Sequence, residues 1–137
     1  MPNIFIGTSG WSYDGWAADF YPEGTSKSEY LSYYVQQFNS VEVNATFYNL
    51  PTLETIKRWR AQAPDNFQYS VKGHRRITHY NKLNEVREPL YEYLSHIRQL
   101  QDALRTVFWQ FPPNFGKDLP RLEQFIELLP EDQQFLI

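Results

Sequence analysis

The chain has 137 residues, 42% of them hydrophobic and 21% charged, which fits one globular domain and excludes a disordered chain. Thirteen basic against sixteen acidic residues give a net charge of −3, which argues against nonspecific binding to nucleic acid or anionic membranes. The absence of cysteine excludes disulfides, a thiolate metal site and a thiol nucleophile.

The chain starts with an apolar run, Ile4-Phe5-Ile6, too short for a helix, so Asn3 to Thr8 is predicted to be a buried strand. Gly7-Thr8-Ser9-Gly10 ends it. Trp11 to Gly24 reads as a long loop containing Trp11, Tyr13, Trp16, Phe20 and Tyr21. Loops of that length in a compact domain are usually functional or disordered, and so many aromatics disfavour disorder. Ser26 or Ser28 is a candidate cap for a first helix. There Leu31, Tyr34, Val35 and Phe38 share one face.

A second strand is expected over Ser40 to Asn44, in the stretch Val41-Glu42-Val43-Asn44-Ala45-Thr46-Phe47-Tyr48. Thr52 is placed to cap a second helix with Leu53, Ile56, Trp59 and Ala63 along one side. Phe67 to Lys72 alternates with period two, as a strand does. A basic loop, Gly73 to Leu83, follows. Leu90, Leu94, Ile97, Leu100 and Leu104 then predict a long third helix, with Pro89 in its first turn. Thr106 to Phe111 is the expected fourth strand, stopped by Pro112-Pro113. Asp118 caps a fourth helix that Pro130 ends, and Gln134 to Ile137 begins a fifth strand. Strands alternating with helices predict a parallel sheet with helices packed outside it. Long, chemically rich loops after strands and short ones after helices favour a TIM-like (β/α) barrel, whose sites lie at the carboxyl ends of the strands. A doubly wound open sheet is the other architecture, but no Gly-x-Gly-x-x-Gly fingerprint follows the first strand.

Several motifs are long and unusual. Gly7-Thr8-Ser9-Gly10-Trp11-Ser12-Tyr13, Phe20-Tyr21-Pro22 and Phe38-Asn39-Ser40-Val41-Glu42-Val43-Asn44-Ala45-Thr46-Phe47-Tyr48 resemble the YecE-like family, domain of unknown function 72. The resemblance continues through Val71-Lys72, Ile77-Thr78-His79 and Gln110-Phe111-Pro112-Pro113. It implies a TIM-like barrel of about 250 residues, the size usual for that fold, and carries no assigned reaction. The sequence here stops where the fifth strand begins, before the family's later arginine and tryptophan motif. The expectation is therefore a single domain over residues 1–137 forming the N-terminal half of such a barrel: four βα units and the start of a fifth.

If strand parity holds, Glu42 and Asn44 share a face with Lys72. Glu42 then reads as a general base and Lys72 as an electrophile or Schiff-base amine. The alternative is a structural ion pair between them. His74 and His79, with Arg75, Arg76 and Lys82, make the third loop basic and suit a phosphate or carboxylate. His79 is the stronger site candidate, because it lies in the family-like Ile-Thr-His motif. His96 is assigned to packing or surface. A metal is not expected: two nearby histidines without a HxH or HExxH spacing supply too few ligands. Trp11, Tyr13 and Tyr48 are candidates for stacking on a sugar or base, and Asn44 and Gln110, at strand ends, for orienting a polar ligand. The expected function is an enzyme acting on a small anionic or sugar-like substrate without a cofactor. Nucleic-acid or endonuclease-like binding is a less favoured alternative, and a non-catalytic barrel fragment is a third. No membrane contact and a cytoplasmic location are expected, and open sheet edges favour self-association.

Overall fold

The computed structural model describes residues 4–137. Five parallel strands form one sheet in the order of the sequence: β1 (Gly7–Ser9), β2 (Ser40–Val43), β3 (Gln68–Lys72), β4 (Leu104–Phe108) and β5 (Phe135–Leu136). A doubly wound sheet reverses its strand order, and this one does not. The connections carry the helices α1 (Tyr30–Gln37), α2 (Ala45–Tyr48), α3 (Leu53–Gln62), α4 (Arg87–Ile97) and α5 (Leu119–Glu127).

Period-two alternation decides what each face of the sheet meets. Val41, Val43, Tyr69, Val71 and Val107 are buried, in one cluster with Tyr34 of α1, Ile56 of α3, Leu90, Leu94 and Ile97 of α4 and Phe125 of α5. Fully burying one such aliphatic or aromatic side chain contributes about 1.5–3 kcal/mol. The helices therefore cover one face. The other carries Ser9, Glu42, Ser70 and Thr106 as successive register partners, and Lys72 opposite Phe108. Glu42 and Lys72 thus share a face, as the sequence pattern requires.

Caps form where the sequence offers them. The Thr52 hydroxyl accepts from the Thr55 amide at 3.2 Å, and the Asp118 carboxylate from the Arg121 amide at 3.1 Å. At α1 the pattern is different: the Glu29 carboxylate reaches back to the Ser26 amide at 2.9 Å and to its hydroxyl at 2.6 Å. The serine is the start of a capping turn, and the regular helix begins at Tyr30.

Several expected boundaries move. The first strand runs over Gly7–Ser9 rather than from Asn3, which lies outside the described residues. The second strand ends at Val43, one residue before the expected Asn44, and the stretch after it coils into α2, a turn of helix outside the elements expected from the sequence. The basic loop contains a π-helical turn, Arg76–Tyr80, with Ile77 and Thr78 buried. The long third helix stops at Ile97, and a 3₁₀ segment, Arg98–Ala103, follows with Gln101 at φ 54°, ψ −129°. Leu104 therefore opens β4 rather than ending a helix, and β4 lies two to three residues earlier than Thr106 to Phe111. Between Tyr69 and Ser70 the β3–β4 register slips past Arg105, a bulge that keeps Thr106 and Phe108 on the open face.

Candidate functional site

The candidate side chains gather at the carboxyl ends of β1, β2 and β3, on two adjoining groups of residues. In the first, the Glu42 Oε1 accepts from the Ser9 hydroxyl at 3.1 Å and from the Asn44 amide at 3.0 Å. The same Asn44 nitrogen also donates to the Ser9 oxygen. Both bonds fall on one carboxylate oxygen, so Oε2 remains available to a ligand or proton, with no bond among the described residues. Glu42 is exposed on the open face. Ser9 is occupied as an orienting group, which leaves it unsuited to act as a nucleophile.

The second group is built on Phe47. α2 is a single turn whose Thr46 hydroxyl shares its one proton between the carbonyls of Lys72 at 2.7 Å and Val43 at 3.1 Å. This turn pins Phe47 inward, only 9% exposed, beside the end of β3. The Lys72 ammonium lies 4.5 Å from the centre of that ring. The His79 ring stands edge-on to it at 4.8 Å, with Nδ1 fixed by the Thr78 hydroxyl at 2.8 Å. Burial, and then the charge of Lys72, hold the His79 pKa below its ordinary value, so the ring is neutral near pH 7. The ion pairs among the described residues are Lys27–Asp14, Arg60–Asp102, Arg98–Asp132 and Arg121–Asp118. Glu42 and Lys72 form none with each other. The structural ion pair expected as one alternative is absent, because Asn44 and Ser9 hold the carboxylate and Phe47 holds the ammonium.

Arg75 lies near two exposed rings, its guanidinium carbon 5.6 Å from the Tyr48 centroid and 5.4 Å from that of Tyr80. Its neighbour His74 is half-buried, and its Nδ1 accepts from the Arg76 amide at 3.2 Å. Burial, with Arg75 and Arg76 nearby, lowers the His74 pKa against a weaker opposing effect of Glu92. Beside Asn44, Trp11 and Tyr13 wall a cavity of about 220 Å³ together with Gly10, Ser12, Val43, Ala45 and Trp59. Trp11 and Trp59 meet edge to face at 5.3 Å.

The remaining aromatics of the first loop stand behind the site: Trp16 packs on Tyr13 at 4.8 Å, and the Tyr21 hydroxyl donates to the Trp11 carbonyl. Tyr21 is 1% exposed and stacks on Tyr30, and Phe20 packs on Tyr33, Tyr34 and Phe38. Gln110 is exposed two residues beyond the end of β4 and joins neither group. His96 contacts the Pro51 carbonyl at 2.8 Å, a packing role, as its helical position implies. Among the described residues, no three His, Cys, Asp or Glu side chains gather closely enough to hold a metal ion. No helix there is long and apolar enough to cross a membrane.

Two participants escape the sequence reading. Trp59 sits in a regular apolar helical stripe that marks it as core, yet its indole lines the cavity. Tyr80 follows the Ile-Thr-His motif, and the five-residue spacing of a π-helical turn brings it to Arg75. That spacing has no signature in a segment read as a loop.

The YecE protein of Escherichia coli strain K12 is 33% identical over 128 residues, covering 93% of this chain and 44% of its own length. The YunF protein of Bacillus subtilis strain 168 is 28% identical over 123 residues, covering 82% of this chain and 41% of its own. A crystal structure of a DUF72 family protein from Thermotoga maritima superposes with a TM-score of 0.73 at 28% identity, over 90% of this chain and 50% of that one. One from Enterococcus faecalis V583 gives 0.71 at 20% identity over 93% and 47%, a likeness of fold. This chain thus spans about half the length of the relatives it matches. The family described as "Protein of unknown function DUF72" matches residues 5–137, and the chain belongs to that family.

Proposed function

We propose that these residues form the first half of a TIM-like barrel whose strand ends bind a small anionic or sugar-like substrate for acid–base chemistry. The sequential parallel order and the polar open face support the barrel, since such a fold turns alternate strand residues inward and uses the carboxyl ends of its strands. The observation that carries the site is the separation of charges on neighbouring strands. Glu42 is oriented by Ser9 and Asn44, and Lys72 rests on Phe47 without a carboxylate partner among the described residues. A base and a cation kept apart on one face can each serve a ligand placed between them. Glu42 serves as general base, neutral His79 as a proton carrier, and Lys72 as the electrophilic or imine-forming amine. Trp11, Tyr13 and Tyr48 supply ring faces for stacking, and the half of the relatives' length lying beyond this chain supplies the opposite wall.

The test is a thermal-shift screen of the whole protein against neutral sugars, sugar acids and small carboxylates, repeated with Glu42→Gln and Lys72→Met. A ligand that stabilises the native protein and loses its effect in both variants is the expected result. A carbonyl ligand that borohydride traps on Lys72 assigns the amine a covalent role. A screen without a stabilising ligand, or one whose hits ignore both substitutions, removes the reading.

A further inference from the structure

The basic turn after β3 carries a feature that the acid–base set does not use. Arg75 neighbours rings instead of carboxylates: its guanidinium carbon lies 5.6 Å from the Tyr48 centroid and 5.4 Å from that of Tyr80. Both tyrosines are exposed, at 55% and 66%. A cation–ring contact uses none of the guanidinium's N–H donors, and those donors match two oxygens of a tetrahedral anion. The ring ridge continues from Tyr48 to Phe47, whose centroid lies 4.9 Å away, and Phe47 carries the Lys72 ammonium. Lys72, Arg75 and Arg76 take part in none of the ion pairs among the described residues. Three such cations within five residues, in a chain of net charge −3, make a local positive field against the overall sign.

On the other side of the site the chemistry is different. Ser9, Glu42 and Asn44 offer hydrogen-bond acceptors and donors for hydroxyl groups. Asn44 also lines the cavity of about 220 Å³ walled by Trp11, Tyr13 and Trp59. That is below the roughly 300–1,000 Å³ of pockets for drug-sized ligands, and it suits a single small ring against indole faces. We propose that the ligand is a phosphomonoester of a small polyhydroxylated compound. Arg75 and the Lys72 ammonium hold its phosphate, which selects the electrophilic role of Lys72 over the imine-forming one, while Glu42, Asn44 and the aromatic cavity hold its hydroxylated end. The proposal rests on the site reading above and adds the ligand's class and its direction across the strand ends. A dianion, rather than a single carboxylate, is what several uncompensated cations favour.

The experiment is calorimetric titration of the whole protein at low salt with glucose 6-phosphate, glucose and inorganic phosphate. Glucose 6-phosphate is expected to bind at least about 10-fold more tightly than glucose, with inorganic phosphate competing, since bonds to charged groups are worth more than neutral ones. Arg75→Ala should weaken both phosphates by roughly 10-fold or more and leave glucose unchanged, and Arg75→Lys should recover only part of that loss. Tyr80→Leu, which removes one of the two rings beside Arg75 at an exposed position, should weaken the phosphates several-fold. Equal affinity for glucose and glucose 6-phosphate, or unchanged phosphate binding in Arg75→Ala, overturns the proposal. If glucose binding is then abolished by Glu42→Gln, the underlying site reading stands. If none of the three probes binds, both fall. A single-stranded oligonucleotide that displaces glucose 6-phosphate in a salt-dependent manner also overturns it, assigning the two exposed tyrosines to nucleic acid.

Discussion

Gly73 is the residue on which the end of β3 turns. Its amide donates to the Phe108 carbonyl at 2.8 Å, and a Cβ there would stand 2.0 Å from the Trp109 ring. Trp109 is 2% exposed and packs on Tyr93 and Phe125, so it has little room to retreat. Gly73→Ala is expected to cost about 1–3 kcal/mol or more, read as a lower denaturation midpoint at unchanged slope. His79 couples the fold to pH. The unfolded chain protonates it near pH 6.5, and the folded chain only at lower pH, because burial and Lys72 oppose the charge. The folded state binds fewer protons in that window, so stability falls as pH drops from about 6.5 through the folded value. Lys72→Met should move the His79 titration upward part of the way, measured by NMR of its ring protons, and should flatten that pH dependence. An unmoved midpoint would show that the ammonium does not reach the imidazole. At this scale, the shared face of Glu42 and Lys72 was legible in the sequence, because strand parity depends on nothing beyond the strand. The partners of these two residues were not, because Phe47 reaches Lys72 only through a turn that a tertiary hydrogen bond holds.

That turn is α2, four residues with no side-chain cap. An isolated helix of that length does not persist in water. Thr46, fully buried, ties it to both neighbouring strands through the carbonyls of Val43 and Lys72. Thr46→Val keeps the shape and removes both bonds. It is expected to destabilise the protein by about 1–3 kcal/mol and, because Phe47 loses its anchor, to weaken whatever ligand Lys72 binds. The 3₁₀ segment before β4 shows the opposite economy. Gln101 adopts φ 54°, ψ −129°, a region that glycine enters more readily. Gln101→Gly should stabilise the protein by about 1 kcal/mol, read as a higher denaturation midpoint. The same residue explains why the sequence misled here. Leu100 and Leu104 continue the spacing of α4 and are both buried, so the apolar stripe runs on after the helix has stopped. Periodicity records which side chains face the core and does not register a break between them. The caps at Thr52 and Asp118 were legible because a cap is a local hydrogen bond between near neighbours.

Across the whole molecule, the parallel alternation was legible from the order of apolar runs, since sequential strands joined through helices have few arrangements. The sheet ends in β1 on one side and β5 on the other, and the residues flanking these edges are apolar and open, with Ile6 63% and Leu136 62% exposed. Unpaired strands of this kind template association. These 137 residues expressed alone are expected to sediment as dimers or larger species, and a stable monomer at micromolar concentration would contradict that expectation. The end of β3 is built differently from the edges. The main-chain oxygen of Lys72 receives the Thr46 hydroxyl at 2.7 Å and the buried Tyr93 hydroxyl at 2.8 Å, one from each flank. A lysine bolted down at its root has only its methylene tether left to swing. Arrival of a guest would therefore tilt the tip of that tether over a rigid rim, and the backbone beneath would keep its position whether the mouth is empty or full.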